Sequence, residues 1–354
     1  MDVRLASGAD NLLNVLLNEQ WLVVECIDRS VEHSGLAKAS CYRATNGAGD
    51  NVFVKAYDFR HEDIGSDPEK LGELLEEYLH EKRVHTFCSN LSRVTRVVGE
   101  GRVTVDGTAV HYLLCEWAPD TFGKSYPPGD TAVSISERLR SLHKVAAGMA
   151  QLHGVGVAHQ DIKPSNVVRC TEGTIKISDL GSSSCSHMKS PPHDSAPYCG
   201  QPNYAPYELL YNAPPGTWYR KRVGCDLFLL GNLIFTSFVG MSLTYIITHR
   251  LPVGMRHTQF AGEYDEVLPL LIQEQTFWIP YFLGALVDSS VADDLTRLVA
   301  QMCHPDPSKR GHPSNIAGKG GQYGLERYVS ALDILARRAE LEARRAELEK
   351  REAA

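Results

Sequence analysis

The nine cysteines include no C-x2-C pair, and their number is odd. Scattered at positions 26, 41, 88, 115, 170, 185, 199, 225 and 303, they argue against a disulfide framework and a structural zinc site, and they fit a reducing cytoplasm. A basic excess is missing too. Lys and Arg total 36 against 43 Asp and Glu, a formal charge of −7, so nucleic-acid binding through phosphate neutralisation is not expected. The opening MDVRLASGAD has no apolar run, so no signal peptide is expected. A single stretch, 227–248, is long and apolar enough for a bilayer. Asn232, Ser237, Ser242, Thr244 and two glycines interrupt it, so it reads as a helix buried on all sides, and no membrane association is expected. What is present is a hydrophobic fraction of 43% over 354 residues. That suffices for a sizeable core in one large domain or two lobes, and it excludes disorder over most of the length.

Segments 21–27, 38–44 and 52–57 are β-branched or aromatic-rich and read as strands, with Gly and Asn in 45–51 marking a hairpin turn. A helix is expected over 66–88. Ser66 and Asp67 are cap candidates, Pro68 suits the first turn, and Glu69 completes a capping box with Ser66. Leu71, Leu74, Leu75, Tyr78 and Leu79 keep the spacing of an apolar helix face. Strands return at 93–98, 102–105 and 110–116, and ProProGly at 127–129 breaks the chain. From 132 on the pattern is mainly helical, at 134–153, 206–212, 226–239, 263–274 and 291–303. This order predicts an α+β chain of two unequal lobes joined near 116–120. The expected organisation is an extension at 1–19, a β-rich lobe at 20–117, a larger helical lobe at 118–330 and a charged helix at 331–354. In that tail ARRAELE occurs twice in tandem, at 336–342 and 343–349, with one Leu per heptad. Such a pattern suits a solvated charged helix at least as well as a dimerisation helix.

The densest chemical signal is HQDIKPSNVV at 159–168, followed by TIKISDLGS at 174–182. Asp161, Lys163 and Asn166 share one short loop between a helix and a strand, and Asp179 ends the next strand with Gly181 beside it. Phosphoryl transfer needs these types together: a carboxylate near the accepting hydroxyl, a cation for the γ-phosphate and hard oxygen ligands for Mg²⁺.

At these positions the chain resembles the eukaryotic-type serine/threonine protein kinase family. Its His-Arg-Asp-x-Lys-x-x-Asn and Asp-Phe-Gly patterns match, with Gln160 for Arg and Leu180 for Phe. The resemblance implies a two-lobed kinase fold, ATP and Mg²⁺ as cofactors, and a protein substrate with a Ser or Thr acceptor. It implies Asp161 as catalytic base, with Lys163 beside it, and Asn166 and Asp179 as metal ligands. Lys55, on the apolar strand ValPheValLys, matches the family's phosphate-binding lysine. Its expected partner is a helix acid. Among Glu73, Glu76, Glu77 and Glu81, only Glu81 falls near the apolar stripe, and the others read as a solvated face. YLLCEWA at 112–118 resembles the linker that binds adenine through its backbone, from Glu116 to Ala118, with Cys115 at the gatekeeper position. Glu208 of ProTyrGlu and Arg310 resemble the family's buried ion pair, and Asp226 would open the central buried helix and brace the catalytic loop. The style of GQPNYAPYELLY looks more like bacterial members of the family.

The glycine-rich loop departs most from the family: between the first two strands Gly35 stands alone, with small residues Ser34, Ala37 and Ala39 around it. This supports an alternative reading as a pseudokinase, a scaffold with weak or no nucleotide turnover. Gln160 removes the arginine that in the family receives an activation-loop phosphate, so activity is expected not to need that phosphate. The charge is local. Residues 62–81 hold eight acids against Lys70, which marks a docking face for a basic partner.

Overall fold

A computed structural model of the chain describes residues 8–27, 39–57, 59, 67–130, 133–213, 216–287, 289–318 and 321–352. The small lobe is built on six antiparallel strands: β1 (Leu16–Leu17), β2 (Trp21–Ile27), β3 (Ala39–Thr45), β4 (Asn51–Tyr57), β5 (Val97–Val105) and β6 (Thr108–Glu116). Their order in the sheet is β1-β2-β3-β4-β6-β5. The hairpin between β3 and β4 closes where expected. Asn46 accepts the Asp50 N–H on its side chain at 2.8 Å, and Gly49 takes φ +87°. Asp106 and Gly107, at φ 50° and 74°, join β5 to β6. Two residues of positive φ give a tight hairpin turn whose twist matches that of the strands. One strand therefore runs through 97–105, where two were expected.

Alternation along β4 sets the site. Val52, Val54 and Ala56 are buried in the sheet core with Val23, Tyr42, Ala44 and Leu114. Phe53, Lys55 and Tyr57 therefore face the other way, where helix α1 (Pro68–Phe87) packs. Asp67 caps α1 by accepting the Glu69 N–H at 3.0 Å. Ser66, the other cap candidate, lies outside the described residues.

Two short sheets open the large lobe, β10-β9-β7 and β11-β8, formed by β7 (Asp120–Thr121), β8 (Val157–Ala158), β9 (Val167–Arg169), β10 (Ile175–Ile177) and β11 (Ser184–Cys185). The rest is helical: α2 (Phe122–Ser125), α3 (Ile135–Gly154), α4 (Tyr207–Leu210), α5 (Trp218–Val239), α6 (Leu243–Arg250), α7 (Tyr264–Leu286), α8 (Ser289–Met302), α9 (Pro313–Ile316) and α10 (Glu326–Glu352). Helix α5 is the centre of this lobe. It is the one described helix apolar and long enough to cross a membrane, and 94% of its apolar window is buried inside the protein. It starts at Trp218, well before the Asp226 expected to open it. Thr217 caps it by accepting the Arg220 N–H at 3.2 Å, and Gly240 ends it at φ +86°. The polar run Tyr219–Arg222 masks these first turns in the sequence. Helix α7 likewise outruns the expected 263–274 and continues through Pro269 and Pro280. Buried Ile279 and Leu283 hold its second half against the core despite the hydrogen bonds that proline forgoes.

Helix α10 is continuous from Glu326 to Glu352. Tyr328, Leu332, Leu335, Ala336 and Ala339 are buried in the large-lobe core. Arg140–Glu340 and Arg338–Asp294, each at 2.7 Å, tie it to α3 and α8. Past residue 340 the tandem heptads run exposed, with Leu341 and Leu348 on the surface.

Candidate active site

The Lys55 ammonium lies 2.8 and 2.9 Å from the two carboxylate oxygens of Glu81 and 2.8 Å from Oδ1 of Asp179. Tyr57, two residues on and so on the same face, donates its hydroxyl to Glu81 Oε2 at 2.7 Å. Burial works to depress the Lys55 pKa, but the Asp179 and Glu81 carboxylates outweigh it and hold the ammonium well above the ordinary lysine value. Burial, with Glu81 alongside, pushes the Tyr57 phenol up, so it remains a proton donor. Gly181 packs against all three groups. A Cβ there would stand 2.9 Å from Glu81 Oε2 and 3.3 Å from both Asp179 Oδ1 and Lys55 Nζ.

The helix periodicity picked the right acid for Lys55 and misplaced a second one. The buried residues of α1 are Leu74, Glu77, Tyr78, His80, Glu81, Val84 and His85, while Leu71 and Leu75 are exposed. Glu77, expected on a solvated face, is buried. It accepts the His193 N–H at 2.8 Å and lies 2.5 Å from His193 Nδ1. The apolar stripe misled because this face is lined by acids with polar partners rather than by leucines. The acidic 62–81 segment is thereby reduced: among its described acids, Glu77 and Glu81 turn inward, Glu76 is half-buried, and Asp67, Glu69 and Glu73 face solvent.

Asp161, Lys163 and Asn166 meet across the loop between β8 and β9. Asp161 Oδ2 accepts the Asn166 Nδ2–H at 2.8 Å and lies 3.0 Å from Lys163 Nζ. Asp161 Oδ1 accepts the Gln201 N–H at 3.3 Å. From α5, fully buried Asp226 accepts the N–H groups of His159 and Gln160 at 2.7 and 2.8 Å, the bracing role expected of it. Ser178 donates its N–H to the Asn166 carbonyl at 2.9 Å, which sets the end of β10 against the loop. Gln160 and Asp179 have φ of 70° and 62°, a region that residues other than glycine seldom occupy, so backbone strain is concentrated beside the reactive groups. Asn166 also gives its side-chain amide nitrogen to the Asp161 carbonyl at 2.8 Å, which leaves its side-chain oxygen Oδ1 as a ligand for a cation. With the Asp179 carboxylate this is a hard-oxygen set that suits Mg²⁺.

Glu116 ends β6. Its carboxylate accepts Lys176 Nζ at 2.6 and 2.8 Å and the Arg96 N–H at 3.0 Å, which anchors the linker between the lobes. Ala118 follows in the irregular stretch before β7. Burial pushes the Cys115 thiol up to about 12, so it is a small neutral side chain there. Gly35 lies outside the described residues. In the activation segment, Gly200 touches the catalytic loop: a Cβ would stand 2.5 Å from Asp161 Oδ1 and 2.9 Å from the Gln160 carbonyl oxygen. Glu208 and Arg310 form a buried two-pronged pair at 2.6 and 2.7 Å. The other contacts of this segment, through His193 and Asp194, left no trace in the sequence. The residues they join are far apart in the chain and fit no motif.

A small sheet lobe carrying one inward-facing helix, a large helical lobe, and an ion triad facing a carboxylate loop define a two-lobed kinase fold. The sequence profile of the protein kinase domain matches residues 37–319, and the chain belongs to that family. It is similar to an Aurora kinase of Yarrowia lipolytica, 32% identical over 201 residues covering 56% of this chain and 45% of that protein. It is also similar to the CBL-interacting protein kinase 25 of Oryza sativa subsp. japonica, 25% identical over 228 residues covering 64% of this chain and 36% of that protein. The serine/threonine-protein kinase PTK1/STK1 of Saccharomyces cerevisiae matches at 33% identity over 97 residues, 26% of this chain and 15% of that protein. The chain thus spans less than half the length of these curated relatives.

Proposed function

We propose that this chain transfers the γ-phosphoryl group of ATP to Ser or Thr hydroxyls of a protein substrate. The observation that carries the proposal is the triad of Lys55 with Glu81 and Asp179, all within 2.9 Å, set together with the Asp161–Lys163–Asn166 loop. Glu81 and Tyr57 hold the Lys55 ammonium in place to grip the nucleotide phosphates. Asn166 and Asp179 would hold Mg²⁺, which when bound neutralises charge on the phosphates. Asp161 accepts the proton of the substrate hydroxyl. Its carboxylate is oriented by Asn166 and the Gln201 N–H, and Lys163 beside it offers positive charge to the transferring group. The backbone from Glu116 to Ala118 is assigned to adenine. Nine free cysteines, five of them buried, support a reducing cytoplasm as the compartment.

The test is incubation of the purified protein with labelled ATP, Mg²⁺ and a generic basic protein, together with a thermal-shift titration of nucleotide. Label on Ser or Thr supports the proposal. A nucleotide-dependent shift without transfer supports the pseudokinase reading, which rests on Gly35 standing alone in its loop. The absence of both shift and transfer contradicts the proposal.

A further inference from the structure

We propose that His193 and Asp194 are positioning residues for phosphoryl transfer, adjacent side chains that tie the control helix to the catalytic loop through Arg222. The proposal rests on the kinase reading above and names what holds that site together. Glu77 lies one turn before Glu81 on the same face of α1 and grips His193 through both its backbone N–H, at 2.8 Å, and its ring, at 2.5 Å. The second ring nitrogen of His193 lies 3.0 Å from the Ser183 carbonyl, so both nitrogens are engaged. The next residue turns the other way. Asp194 Oδ1 lies 2.6 Å from the Arg222 guanidinium, its carbonyl accepts from Arg222 at 2.9 Å, and Ser184 donates to Oδ2 at 3.1 Å.

Arg222 is 2% exposed, so its charge depends on these partners. It donates to Gln160 Oε1 at 3.1 Å and to Cys199 Sγ at 3.3 Å. Gln160 returns a bond to the Arg222 carbonyl at 2.8 Å and is followed directly by Asp161. The contacts therefore run Glu77, His193, Asp194, Arg222, Gln160, with Glu81 at one end and Asp161 at the other. Gln160 stands where the family has arginine. Here the cation comes from α5 instead, and its anion is an encoded carboxylate. The donor atoms of His193, Asp194 and Cys199 lie within 4.8 Å of one another, as a metal site would need. Arg222 already sits on Asp194 and Cys199, and Glu77 on His193, so the guanidinium closes the cluster.

The test compares wild type with Asp194→Asn, Asp194→Glu, Glu77→Gln and the double variant Glu77→Gln/Asp194→Asn. The readouts are kcat, KM for ATP, melting temperature, and hydrogen exchange over 68–87. Asp194→Asn is expected to lower kcat on the order of 10- to 100-fold with KM for ATP within about twofold, because the groups shift relative to one another while the nucleotide contacts remain. Asp194→Glu is expected to restore part of the rate. Exchange in α1 should rise although the altered side chain bonds α5 and not α1. The double variant should lose no more than the worse single one, since both cut the same run. Unchanged α1 exchange, unchanged kcat in an active enzyme, or additive losses would overturn the proposal. If Asp194→Asn fails to fold, Glu77→Gln, at the opposite end, carries the rate test, and unchanged kcat there overturns the proposal. A wild type that transfers no phosphate refutes the kinase reading instead, and α1 exchange alone then decides whether the pair couples the two lobes.

Discussion

Gly200→Ala puts one methyl group into the contact between the activation segment and the catalytic loop. The new Cβ would stand 2.5 Å from Asp161 Oδ1, 2.9 Å from the Gln160 carbonyl oxygen and 3.2 Å from Asp161 Cγ, where ordinary contact begins at 3.4 Å. Relief requires a displacement of about 1 Å, and misplacing a reacting group by that much costs on the order of 100-fold in rate, or about 2.7 kcal/mol in the barrier. Asp161 has little room to yield: it is 3% exposed, and Asn166, Lys163 and the Gln201 N–H already hold its oxygens. Gly200 is only partly buried, so the segment gives way first and draws the Gln201 N–H off Asp161 Oδ1, which turns the carboxylate out of place; overpacking is expected to cost only about 1–3 kcal/mol of stability. The assay is steady-state phosphoryl transfer to a basic protein beside a melting curve. A kcat within twofold of wild type, in a protein that melts normally, would refute the geometry drawn around Asp161.

Three further outcomes follow from other parts of the structure. Glu208→Gln leaves buried Arg310 without its anion and is expected to cost about 3–5 kcal/mol, read from urea unfolding; a loss under 1 kcal/mol would contradict the pair's burial. Burial lowers the pKa values of His80 and His85 below the ordinary 6.5. The unfolded chain then binds protons that the folded chain refuses, so stability is expected to fall as pH drops below 6.5, by up to about 1.4 kcal/mol per pH unit for each group. His80→Gln should flatten that acid limb, and an unchanged slope would count against it. Because Arg222 already engages both Asp194 and Gln160, phosphatase treatment is expected to leave activity intact; an enzyme that is inert until a loop serine is phosphorylated would contradict this.

Much of the site was legible because its chemistry lives in short local patterns. HQDIKPSN and the following SDLG are contiguous runs, and the structure brings Asp161, Lys163 and Asn166 together and sets Asp179 beside them through the bond from Ser178 to Asn166. Lys55 could be placed because strand alternation decides which side chains leave the sheet core. Glu81 could be placed because helix periodicity decides the inward face. What stayed hidden was set by tertiary contact. Glu77 is buried because residue 193 reaches it from 116 positions away, and no periodicity encodes that. Arg222 lies in the first turns of α5, a stretch too polar to be read as part of a buried helix. Helix α7 passes two prolines because packing outweighs a local propensity that argues for a stop.

The central claim is that Asp161 takes the proton of the acceptor hydroxyl. The direct measurement is single-turnover phosphoryl transfer by Asp161→Asn at saturating ATP and Mg²⁺, alongside nucleotide binding by the same protein. A rate lower by about 10²–10⁴-fold with binding retained is the predicted result. Transfer at the wild-type rate with the carboxylate gone would contradict it.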